Sequence, residues 1–194
     1  MWLAQALPLP LAGALVAMVI TASAALSQSV PDDCTFSLAD VSEPVPQFAT
    51  FPAPVDAQRA PAPVVLSSAE ARRYRTMLRE GAAKGPNFAG HYTIVEWGCG
   101  SACVDWAIVD ARSGRVFFFK MLRAVSGAHV DFGKSADTAD DDLLRYRRDS
   151  KLLIILGAPN EDEKREGIGF YRWDHDRLDQ LSFVPRAKLC LRHQ

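Results

Sequence analysis

At 194 residues, 48% of them hydrophobic and 23% charged, the chain is long enough for one domain with a real core and short for two. A formal net charge of -1 gives no global attraction to nucleic acid or to an acidic membrane surface, so nucleic acid is not an expected partner. Recognition has to come from local patches.

In chain order, the first feature is the uncharged run ALPLPLAGALVAMVITASAALSQS, which ends before Asp32 and carries the small-residue pattern Ala22, Ser23, Ala24. It reads as a secretory signal peptide over residues 1–24, although the n-region has no Lys or Arg. The alternative is an uncleaved anchor, since an apolar run of roughly 20 residues spans a bilayer. A membrane is an expected partner only in that case, and either way the body is exported, to the periplasm or the medium. Cys34 follows VPDD without a lipobox, which argues against a lipoprotein.

Residues 25–66 hold seven of the twelve prolines and little periodicity. Proline fixes its own φ and lacks a donor, so the segment is expected as an extended arm on a surface. Residues 67–194 are expected as a single β-rich domain with one helix at its start. Ser67 and Glu70 have the spacing of a capping box, and Gly85 with Pro86 provides a stop. Ala71, Tyr74, Leu78 and Ala82 recur at helical spacing, placing Arg72, Arg73, Arg75 and Arg79 on the solvent side.

From His91 onward the pattern changes to short β-rich runs. HYTIVEW, CVDWAIVD and RVFFFKML form one group; DLLRYRR, KLLIILGA, GIGFYRWD and RLDQLSFV form a second of similar layout. Two such meanders cannot close a propeller. The expected fold is therefore mainly β (α+β): an antiparallel sandwich or curled sheet of about seven strands, covered by the N-terminal helix.

Four cysteines in an exported chain point to two disulfides. Cys99 and Cys103 are the local pair, which leaves Cys34 to join Cys190 near the other end. WGCGSAC has three residues between its cysteines and is followed by a strand, unlike a thioredoxin-type motif before a helix. Gly98 and Gly100 flank Cys99 and suit a tight turn that excludes a Cβ. His91 with the two cysteines matches no zinc spacing, and the acidic run Asp137–Asp142 lacks the glycine and glutamate of an EF-hand loop. No metal or cofactor is expected.

Symmetric pairing about Cys99 and Cys103 sets Trp97 opposite Asp105 and Glu96 opposite Trp106. A one-residue slip instead sets Glu96 opposite Asp105, and facing carboxylates need a shared proton or a cation. The symmetric register is expected because the disulfide and the glycines centre it. His91, Tyr92, Trp97, Asp105 and Trp106 are then the candidate binding residues, with Glu96 and Asp105 an alternative acid/base pair.

The segments NFAGHY (Asn87–Tyr92), WGCGSAC (Trp97–Cys103) and DARSGRV (Asp110–Val116) resemble those of small exported proteobacterial proteins of unassigned function. That resemblance implies export and no particular activity. The expected function is an exported binding or inhibitory module of the cell envelope, its partner a protein or a small molecule. A periplasmic hydrolase using Glu96, Asp105 and His91 is one alternative, and an envelope assembly or stability factor that makes contact through the proline-rich arm is another.

Overall fold

The computed structural model describes residues 31–57, 60–133 and 142–191. The signal-peptide and anchor readings fall on residues 1–30, and most of the acidic run falls on 134–141, all outside the described residues. Among the described residues no helix is long and apolar enough to cross a membrane.

The fold is mainly β, with eight strands in two antiparallel sheets among the described residues. The first sheet contains β1 (Tyr92–Gly100), β2 (Cys103–Asp110), β3 (Val116–Phe117) and β4 (Val125–Ser126). The second contains β5 (Leu144–Tyr146), β6 (Leu152–Gly157), β7 (Gly167–Asp174) and β8 (Arg177–Pro185), in sequence order. Each group of β-rich runs thus builds its own sheet. The extra strand is β4, which lies beyond RVFFFKML: that run stays in the ladder only for Val116 and Phe117, and β4 then pairs with β2 at Val104 and Cys103. In between, Phe118 packs into the cluster under the helix and Phe119 into the main core. Filling both cores takes that stretch away from β2.

The helical segment is not one helix. It runs as α1 (Ala69–Arg73) and α2 (Arg75–Ala83), interrupted at Tyr74. The expected inner face holds, since Ala71, Leu78 and Ala82 are buried against Val95, Ala107 and Val109 while Arg72, Arg73, Arg75 and Arg79 stay exposed. The expected cap shifts by one residue. Ser68, not Ser67, accepts the Ala71 N–H at 2.9 Å, and Glu70 pairs with Arg123 instead of capping. A short third helix, α3 (Arg186–Cys190), follows β8.

Strand alternation sorts the second sheet into two buried faces. Leu153, Ile155, Tyr171 and Trp173 share one face; Trp173 meets Tyr92, Phe117 and Phe119 of the first-sheet region at centroid distances of 5.0–5.9 Å. Ile154 and Phe170 lie on the other, beneath Leu38, Val41, Val45 and Phe48 of the N-terminal segment. Burial on both sides explains why KLLIILGA reads as a continuous apolar run.

The N-terminal arm is therefore a layer of the fold. Phe36 is fully buried and bridges to Val130; Ala53 and Phe51 bond across to Asp149 and Lys151; Ala62 and Val65 bond to Ala111 and Gly114. Two glycines admit it. A Cβ on Gly90 (φ 88°) would lie 2.1 Å from the Pro54 carbonyl oxygen, and one on Gly114 (φ 74°) 1.9 Å from that of Pro63. Gly114→Ala therefore combines a strained φ with eviction of the arm, and is expected to cost about 1–3 kcal/mol. Urea denaturation measures that cost, and proteolysis accelerated near residues 60–66 locates it; an unchanged midpoint argues that the arm does not depend on this contact.

Candidate functional site

The hairpin of β1 and β2 has the symmetric register. Trp97 faces Asp105 and Glu96 faces Trp106, while the ladder is irregular between Gly98 and Gly100. Cys99 is bonded to Cys103, and Cys34 to Cys190. Residues 98–102 are all exposed. The tip differs from expectation in one respect: a Cβ on Gly98 would meet nothing within 4 Å, and the clearly left-handed residue is Ala102, at φ 49°.

This register places Trp97 and Asp105 on the helix-facing side and Glu96 and Trp106 on the side toward the second sheet. The five candidate binding residues consequently do not form one surface. Trp106 is 1% exposed, stacked on Phe119 at 5.6 Å, and its indole donates to the Leu122 carbonyl at 2.7 Å. Tyr92 is buried among Phe117 and Trp173. Trp97 is half-buried against Tyr74, at 4.7 Å between ring centroids.

Asp105 is buried and committed to an ion pair. Its Oδ1 accepts from Arg123 Nε at 2.9 Å, its Oδ2 bonds Arg123 Nη2, and Arg123 Nη1 bonds Glu70. The same carboxylate accepts the Trp106 main-chain N–H at 2.9 Å, in the stretch of β2 between its pairings with β3 and β4. The guanidinium also lies over the rings of Tyr74 and Phe118, both at 5.3 Å. Burial pushes the Asp105 carboxyl up and the Arg123 guanidinium down from their ordinary ranges, and the two-point contact offsets that desolvation. Arg123 thus ties α1 to β2. Its residue type gave no signal of this, because the partners are distant in the chain.

His91 sits at the far end of β1 from the tip. Its Nε2 is 3.7 Å from Asp110 Oδ1, at the edge of a cavity of about 540 Å³ that Asp56, Ala57, Ala62, Pro86 and Arg112 also line. Arg112 holds Asp56 with two bonds of 2.6 and 2.7 Å. Burial first, then Arg112, lowers the His91 pKa against the pull of Asp110 and Asp56. Glu96, Asp105 and His91 therefore occupy two faces and two ends of one hairpin, and no acid/base centre joins them.

Glu96 has a different setting. Burial raises its pKa, and the Tyr146 hydroxyl of β5 donates to its Oε1 at 2.7 Å. Burial and that carboxylate together push the tyrosine well up. Around them is a groove of about 270 Å³, lined by Met77, Glu80 and Gly81 of α2, by Lys84 just past its end, by Asn87, and by the β1 edge. The Asn87 side chain mimics a strand there: its Oδ1 accepts the Ile94 N–H at 2.7 Å and its Nδ2 donates to the Ile94 carbonyl at 3.0 Å. Antiparallel alternation turns Glu96 and Gly98 the same way as Ile94, away from β2. Their outward N–H and C=O groups have no partner among the described residues.

Among the described residues no group of three or more His, Cys, Asp or Glu side chains is placed to hold a metal. Comparison of the chain with family models, with curated proteins and with solved structures gave no match.

Proposed function

We propose that the chain is an exported binding module of the cell envelope, periplasmic or secreted, whose contact surface is the disulfide-closed tip at residues 98–102 together with the β1 edge beside it. The observation that carries this reading is the row of outward main-chain groups at Glu96 and Gly98, beyond the point where Asn87 closes the edge. An unpaired edge is a template for another strand, and a rigid frame lowers the entropy lost on binding. The Cys99–Cys103 bridge supplies that frame, and both disulfides suit an oxidising compartment. Arm-mediated assembly has less support, because residues 31–57 are spent on covering the second sheet.

A photocrosslinker placed at Ser101 tests the reading in envelope extracts. It is expected to give a discrete adduct that disappears with Gly98→Pro, which removes the outward N–H but leaves the bonds to β2. The same probe at Asp179 on β8 is the control. Adducts that are equal at both positions, or that persist with the proline, would sink the reading.

A further inference from the structure

The groove at Glu96 has a defined chemistry beyond a bare sheet edge. An extended segment continuing the line of the Asn87 side chain meets the free N–H and C=O of Glu96 and Gly98, two residues apart and therefore about 7 Å along the strand. Successive side chains of that segment point alternately to the two sides of the first sheet. On one side they meet Glu96 and Tyr146; on the other, the α2 surface with the exposed Met77.

The charge there is unbalanced toward negative. Glu80 and Glu96 line the groove and Asp142 acts on Glu96 from nearby, whereas Lys84 is the one cation among the described lining residues. Tyr146 occupies Oε1 of Glu96, while no hydrogen bond to Oε2 occurs among the described residues. A half-buried carboxylate attracts a cation more strongly than a solvated one, because less water screens the pair.

We propose that this groove binds an extended peptide segment that adds as a strand to the β1 edge and places a lysine or arginine side chain on Glu96, beside Tyr146. The inference rests on the binding-module reading and names the partner's chemistry. Main-chain bonds to Glu96 and Gly98 supply register, and the Glu96 carboxylate selects the cationic residue. Asn87 sets where the added strand must begin.

Titration of the oxidised full chain with the blocked peptide acetyl-TVKVT-amide, followed by amide chemical shifts, is the test; acetyl-TVEVT-amide is the control. The lysine peptide is expected to bind about ten-fold tighter than the glutamate peptide, a difference in the range for one complementary charge pair. Shifts should concentrate at Glu96, Gly98 and Tyr146. Glu96→Gln keeps an acceptor for Tyr146 and should retain the melting temperature while bringing the two peptides within about two-fold. Gly98→Pro should abolish binding of both. Equal affinity for the two peptides, shifts elsewhere, no binding at millimolar peptide, or discrimination that survives Glu96→Gln would each overturn the proposal. So would a dimer that dissociates with Gly98→Pro, since a second copy would then be the occupant. If the Ser101 crosslink forms and is lost with Gly98→Pro while the peptides fail, this inference falls and the binding-module reading stands.

Discussion

Replacing Cys34 and Cys190 together with alanine is expected to cost about 5 kcal/mol, against about 2 kcal/mol for the Cys99 and Cys103 pair. The bridges close loops with sequence separations of 156 and 4, and in the chain-entropy view the longer closure removes more freedom from the unfolded chain. The longer bridge also fastens the layer that covers the second sheet. Arg186 on α3 donates to the carbonyls of Pro31, Asp32 and Cys34 and pairs with the buried Glu166. Those contacts keep the arm docked in the native state but do nothing to restrict the unfolded one. The long-bridge variant should melt about 10–20 °C lower than the parent, and the short-bridge variant only about 4–8 °C lower. Parallel thermal melts under oxidising conditions decide it, and an equal loss for the two variants would contradict the loop-length argument.

Arg123→Ala is expected to be the most damaging single substitution outside the apolar core, at about 3–5 kcal/mol. It strands the Asp105 carboxylate in a buried position without its counter-charge. Asp105→Asn should cost less, because the amide oxygen still accepts the Trp106 N–H. Combining the two should be milder than the sum, with a coupling of about 1–3 kcal/mol, since the second change removes the charge that the first left unpaired. Glu70→Gln should cost under about 1 kcal/mol, as that carboxylate is about a third exposed and solvent screens it. A urea-denaturation double-mutant cycle gives these numbers, and additive single costs would show that the two groups do not depend on one another.

The hairpin shows how far local pattern carried the reading. Two cysteines four positions apart, centred on the turn, are enough to select the register in which Trp97 faces Asp105, because a one-residue slip would invert every side chain. The faces of β1 and β2 were therefore legible. What each face touches was not. Asp105 and Trp106 are adjacent in sequence, yet one enters an ion pair under α1 and the other the core between the sheets. Residue type alone marks His91, Tyr92, Trp97, Asp105 and Trp106 as candidates, and type does not distinguish an aromatic in a core from one at an interface. Tyr146 carried no signal as a site residue, since only the meeting of β5 with the β1 edge brings it to Glu96. The shift of the helix cap from Ser67 to Ser68 has a related cause: Ser67 and Glu70 have capping spacing, but Glu70 is drawn to Arg123, which no helical pattern contains.

Local chemistry alone determined the β-rich class, the two groups of strands, the inward face of the helical segment, the register of the hairpin and the pairing of the cysteines. These follow from side-chain period, proline and glycine placement and loop closure, which act over a few residues or depend only on chain length. Tertiary structure decided that residues of the proline-rich arm are a layer of the fold, that Asp105 is held by Arg123 in a buried ion pair, and that Glu96 lies in a groove beside a β1 edge that is unpaired among the described residues. Each of those depends on groups far apart in the chain, and their proximity is set by the packing of the two sheets.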